Sequence, residues 1–297
     1  MGLNKAFIIL WWALLGVIPL SIVQAQTTGI TDSLNTVLFK ISSGTSSKVS
    51  YLFGTHHAFG KSFFDPLTKA NQALADSEFL IKENLNIQGE RAQDIINRRT
   101  TLTKWEKYLT KKDLSFINNL FASSPTDYRK MTATEMYVFL NRYFKQQLCL
   151  HKDANDTSLS LDDYIGFKAV ELNMDRYGLE TTEEQIALLN KDVEGMPKRI
   201  HKRRLANIVA KIRSKDVNSC EETSWYAQME IDYQLNRPCG NTLVLTERNE
   251  QWMMTITGLI KEKNCFIAVG LSHLMYECGL LNQLEKLGYT ITPVPVK

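Results

Sequence analysis

Apolar and polar positions follow three different rhythms along this chain. Residues 6–23, containing FIILWWALLGVIPL, are apolar almost throughout. Residues 33–55, SLNTVLFKISSGTSSKVSYLFGT, form two β-rich runs around a Gly/Ser/Thr turn and predict a β-hairpin. In 65–77, DPLTKANQALADS, apolar residues recur at helical spacing, with Asp65 placed as N-cap and Pro66 in the first turn. EFLIKENL, 78–85, then predicts a buried strand. Strand, helix and strand within about 35 residues is the βαβ pattern of a parallel sheet.

From about 90 to 215 the pattern is mostly helical. It includes AQDIINRRTTLTKWEKYL, KKDLSFINNLFAS, TATEMYVFLNRYFKQQL, a helix opened by Ser160 and TTEEQIALLNKDVEG. GLET, 178–181, predicts a short strand or loop within the site. KRIHKRR, 198–204, opens a helix reaching about Arg213. It reads as a solvated face or as a contact for anionic lipid or polymer. The tail returns to α/β: 241–263 predicts a short extended run and a helix, and 264–274 a buried strand running into a loop. Residues 276–296 predict a helix stopped at Gly288 and an edge strand, where Pro293 and Pro295 do little harm. The expectation is an α/β fold, 26–297, with a helical insertion at about 90–215.

The first 25 residues have the layout of an export signal: Lys5 in a short n-region, the apolar core, and VQA before Gln26. The alternative is an uncleaved anchor, because the run approaches the ~20 residues that span a bilayer. Either way the protein is expected to be exported, to periplasm or extracellular space, with possible membrane proximity. About 270 residues remain after cleavage, which suits one large domain. A formal charge of +3 over the whole chain argues for neither nucleic acid nor an acidic partner, and no nucleic acid is expected. All five cysteines lie beyond residue 25, so at least one stays unpaired within the chain. Cys220 and Cys239 are the first pair to expect, and Cys265, in an apolar run, reads as a buried thiol. No CxxC or CxxH spacing supports a structural zinc site.

Two of the five histidines are adjacent, in YLFGTHHAF. This stretch has an echo in FIAVGLSHLM: an apolar strand, a glycine, two residues and a histidine, giving Gly54…His57 and Gly270…His273. Ligands bind beyond the carboxyl ends of strands in open parallel sheets, and glycine permits a sharp turn or close approach. Two such ends side by side would aim two imidazoles at one point. Glu83, ending EFLIKEN, supplies the carboxylate of a two-His, one-carboxylate site with room for water. The competing reading has His57 capping a turn and His273 capping a helix. His56 should point away from its neighbour, and His151 and His201 sit beside lysines on helical stretches. Arg248, in TERN, is placed to hold a carboxylate or an oxyanion. Glu180 is a candidate general base or orienting group, whereas Asp162 and Asp163 read as helix-capping, exposed residues.

YLFGTHH, FLIKENL, LDDYI…GLETTEEQ, LTERNEQW and FIAVGLSHLMYECGLLNQLEKLGYTITPV occur in an order that resembles the TraB/PrgY/GumN family. That family is related to the Tiki metalloproteases and, more distantly, to erythromycin esterase and ChaN-like proteins. The resemblance covers nearly all of the chain after the leader. It departs mildly at Glu277-Cys278-Gly279, where Glu-Asp-Gly is frequent. It implies a central mixed, largely parallel sheet from two pseudo-symmetric halves, each giving one GxxH histidine. For Tiki-like members it implies divalent-cation-dependent peptide hydrolysis. By position, His57 and His273 would be the GxxH histidines, Glu83 the strand-end carboxylate and Arg248 the arginine of the family's ERN. The expected site has His57, Glu83 and His273 binding the metal (manganese, cobalt or zinc), Glu180 or a metal-proximal carboxylate managing protons, and Arg248 steadying substrate or oxyanion. A peptide or protein substrate follows. The alternative is a non-catalytic binding protein for a peptide signal, a metal or haem.

Overall fold

The computed structural model describes residues 33–152 and 159–296. The expected export signal lies outside them. The described residues lie in one compact unit.

The hairpin pairs β2 (Leu38–Ser43) with β3 (Ser46–Thr55), after a short β1 (Ser33–Leu34). It is antiparallel, with Leu38 opposite Phe53 and a register shift at Ser42/Ser43. Its inward residues Leu38, Phe39, Leu52 and Phe53 are fully buried. The helix predicted over 65–77 starts late, as α2 (Thr68–Ala75), and a separate short α1 (Lys61–Phe64) precedes it. Asp65 closes the first piece and does not cap the second, because its carboxylate accepts the Tyr164 hydroxyl at 2.6 Å. A tertiary bond has outcompeted the local cap. The strand β4 (Phe79–Lys82) follows, buried along its length.

Next come α3 (Ala92–Arg98), α4 (Lys111–Leu120) and α5 (Ala133–Phe144). The predicted helix over 92–109 stops early. Arg99 turns extended, makes two bonds to Glu135 at 2.7 and 2.9 Å, and is followed by β-branched Thr100 and Thr101. Then α6 (Leu161–Glu171), capped by Ser160 as expected, and β5 (Asp175–Gly178) return to the sheet within the helical stretch. The stretch resumes with α7 (Thr182–Lys191) and α8 (Lys198–Ser214). Helices α3, α4, α5 and α8 bury a core of their own around Ile117, Met136, Leu140 and Val209.

The tail holds α9 (Glu221–Gln228), β6 (Ile231–Asp232), α10 (Glu247–Glu262), β7 (Cys265–Gly270), α11 (Leu280–Lys286) and β8 (Thr290–Pro293). Strand β6 pairs only with β1. Thr242–Thr246, expected as extended, is a π-helical turn leading into α10. Asn241 starts it by accepting the Val244 N–H at 2.8 Å. Gly288, at φ +85°, ends α11.

The main sheet has the order β5-β4-β7-β3-β2-β8. Strands β5, β4, β7 and β3 are parallel neighbours, and β2 runs antiparallel to β3 and β8. The sheet is thus mixed and largely parallel, in an α/β fold, with β8 at an edge. Residues 265–269 of the central strand are fully buried, as expected of a strand covered on both faces. The four parallel strands end at one edge, so the residues after them share a neighbourhood.

Disulfides join Cys149 to Cys220 and Cys239 to Cys278, which corrects the expected Cys220–Cys239 pair. The intervening stretch turns its tyrosines inward: the Tyr226 hydroxyl donates to the Gly54 carbonyl at 2.8 Å and Tyr233 to that of Thr36 at 2.7 Å. The two cysteines therefore face different neighbours. Cys265 is free and buried, as expected, and burial pushes its thiol up to about 11.

Candidate functional site

Strands β3 and β7 lie side by side, with Gly54 level with Val269 and Thr55 with Gly270. Neither glycine adopts a positive φ, which among the described residues is found at Gly89, Gly195 and Gly288. Both permit close approach instead. A Cβ on Gly54 would stand 2.7 Å from Leu271 Cδ1, and one on Gly270 would stand 2.9 Å from a Glu83 carboxylate oxygen.

His57 leaves the end of β3 and meets Asp162 in the first turn of α6, Nδ1 to Oδ2, at 2.7 Å. The other Asp162 oxygen accepts the Thr55 hydroxyl, and the Asp162 carbonyl accepts Lys82 Nζ at 2.9 Å. The expectation of an exposed, capping Asp162 is therefore wrong. Its residue is 7% exposed, and packing of α6 brings it under the strand ends. Its neighbour Asp163 does take part in the cap, accepting the Ser160 hydroxyl at 2.7 Å while it pairs with Lys82. The His57 side chain is 60% exposed, with no bond to Nε2 among the described residues. Its pKa is pushed up to about 9, chiefly by the Asp162 charge and hydrogen bond, helped by Glu83 and opposed by burial and Arg142. Burial works to raise the Asp162 carboxyl, but His57, Thr55 and Lys82 together hold it well below the usual carboxylate range.

Glu83 follows β4. One of its oxygens accepts the Gly270 N–H at 2.7 Å, and the other accepts Gln185 Nε2 at 3.1 Å and Arg248 Nη2 at 3.3 Å. Glu180, just past β5, takes Arg248 Nε at 2.7 Å and Nη2 at 2.8 Å, plus Trp252 Nε1 at 3.1 Å. The guanidinium lies over the Trp252 ring, 4.6 Å from its centroid. The π turn before α10 sets this placement, consistent with the habit of such turns to accompany special sites.

His273 is 3% exposed. The amide Nδ2 of buried Asn249 donates to the carbonyls of His273 at 3.2 Å and Cys278 at 2.8 Å. Its Oδ1 must then accept, so His273 Nδ1 carries the proton at 2.7 Å. Nε2 is left as an acceptor, with Arg248 Nη1 at 3.0 Å and a Glu83 oxygen at 4.0 Å. Burial, then the charges of Arg248 and His57, push this imidazole well below its ordinary pKa.

His56 turns away, as the strand alternation requires. It accepts the Ala58 N–H at Nδ1, donates from Nε2 to Glu222 at 3.0 Å, and packs on Phe59 and Tyr226. His151 is exposed, and His201 is half-buried on α8.

The five expected residues thus divide by position. Glu83, Glu180, Arg248 and His273 form one bonded network. His57 stands beside it, near enough for its charge and those of Glu83 and His273 to act on one another. Asp162, Asn249, Lys82 and Trp252 complete the arrangement.

Two imidazoles, each with Nδ1 tied to an oxygen and Nε2 turned to other use, suit a divalent ion in chemical type, and the carboxylate of Glu83 adds a hard donor. Acidic groups (Glu83, Glu180, Asp162, Asp163) outnumber Lys82 and Arg248 around the strand ends. The donor set therefore fits such an ion. Among the described residues no three His, Cys, Asp or Glu side chains already stand in metal-binding geometry.

A parallel sheet whose strand ends converge His, Glu and Arg defines an α/β protein with a polar strand-end site. The model of the TraB/PrgY/gumN family matches residues 37–293, and the chain belongs to that family. No curated protein matches it.

Proposed function

We propose that the chain is an exported, divalent-metal-dependent hydrolase acting on a peptide or protein, with His57, Glu83 and His273 holding manganese, cobalt or zinc. One observation carries the reading: both GxxH histidines have Nδ1 fixed by an oxygen acceptor, which leaves Nε2 as the ligand atom, and the Nε2 of His273 lies 4.0 Å from a Glu83 oxygen. A bound ion would polarise the scissile carbonyl and acidify a water. Asp162 orients His57, and Asn249 fixes the His273 tautomer. Arg248 contributes a fixed positive charge for a developing oxyanion. Glu180 is bonded to Arg248 and Trp252, so it acts by positioning Arg248. The apolar segment 6–23 and the two disulfides support export.

The second reading, a binding protein without turnover for a peptide, metal or haem, draws on a different observation. Arg248 engages both Glu83 and Glu180, so neither stands free as a general base. A peptide pool incubated with the mature protein and each ion separates the two. The hydrolase reading predicts cleavage that His57→Ala and His273→Ala abolish. Metal binding without cleavage favours the binding protein.

A further inference from the structure

Arg248 stands where an incoming cation has to go. His273 Nε2 has a single lone pair, because its Nδ1 carries the proton for Asn249. Arg248 Nη1 already uses that pair at 3.0 Å. A hydrogen bond and a metal bond to one lone pair exclude each other. Arg248 Nη2 also reaches Glu83 at 3.3 Å, the longer of its carboxylate contacts.

The guanidinium has a built resting place apart from the three ligands. Its bonds to Glu180, at 2.7 and 2.8 Å, and its stacking on Trp252 involve none of them. Loss of the His273 and Glu83 contacts would leave the guanidinium with Glu180 and Trp252 as partners. From this we infer that Arg248 is an internal competitor for the divalent ion at His273. The inference rests on the metal reading above. It assigns Arg248 an effect on affinity although it is not a ligand.

Calorimetric titration of the mature chain with Mn²⁺ and with Zn²⁺ tests this in wild type, Arg248→Lys and Arg248→Gln. Lysine keeps the charge but cannot span Glu180 and His273 together. Loss of a charge-assisted hydrogen bond to the competitor should tighten ion binding about tenfold in Arg248→Lys, and Arg248→Gln should follow. In the ion-free protein, the His273 Nε2 nitrogen resonance should move in Arg248→Lys as its hydrogen bond is lost. If Arg248→Lys binds ions no more tightly than wild type, the competition is overturned and the metal site stands. If wild type and both Arg248 variants bind no ion, the metal reading falls and this inference falls with it.

Discussion

His57 and His273 occupy the same place in the same motif, yet the fold gives them opposite electrostatics. His57 is 60% exposed at its side chain, pairs with a buried carboxylate and is held up to about 9. His273 is 3% exposed, pairs with a neutral amide, faces a guanidinium and is held well below its ordinary pKa. The GxxH spacing sets only where each ring stands. The helix behind it, α6 for His57 and α10 for His273, decides its charge. A site with one imidazole poised charged and the other neutral differs chemically from a symmetric pair.

The largest effect should come from truncating the buried member. His273→Ala strands Asn249 Oδ1 and Arg248 Nη1, and should lower unfolding free energy by about 2–4 kcal/mol in denaturant titrations. His57→Ala should cost clearly less, since Thr55 and Lys82 still serve Asp162. Equal losses would erase the asymmetry. Next, Asn249→Asp gives His273 the kind of partner His57 has. Its imidazole should then take up a proton near neutral pH in an NMR titration, where the wild-type ring stays neutral.

The reverse exchange, Asp162→Asn, should bring the His57 midpoint down from about 9 to the ordinary 6.5 or below. The raised pKa means that His57 stabilises the ion-free fold fully below about pH 6.5, and that this contribution fades as pH rises through about 9. Asp162→Asn should flatten that alkaline loss in melting curves. The smallest effect belongs to His56, which is outside the site. Its partner Glu222 is pulled from 4.5 to about 2, by the His56 hydrogen bond and then by Lys145. That stabilisation is present above pH 4.5 and lost as pH falls toward 2, so Glu222→Gln should reduce the acid sensitivity of melting. An unchanged acid profile would remove this clamp from the account.

The strands were legible because each is a short apolar run with a sharp end: 51–55, 79–82 and 265–270 could be little else. Strand-end chemistry then followed from reading the first one to three residues past each run. What surrounds those residues was not legible. Asp162 sits one residue past the start of a capped helix, where acidic residues usually face water, and only packing of α6 against the sheet turns it inward. Asn249 is one letter of TERN, and nothing local reveals that its amide is fully used. The glycine positions allowed a turn or a close approach, and only the side chains folded in from elsewhere show that close approach matters at both. The disulfides failed for the same reason, since Cys149 and Cys220 are 71 residues apart and chain proximity is a poor guide to pairing.

Crystals grown with Mn²⁺ and measured for anomalous scattering test the central claim most directly. The account predicts one ion bonded to His57 Nε2, His273 Nε2 and the Glu83 carboxylate. A map with no ion at these atoms at saturating Mn²⁺, or with the ion held by other residues, would contradict it.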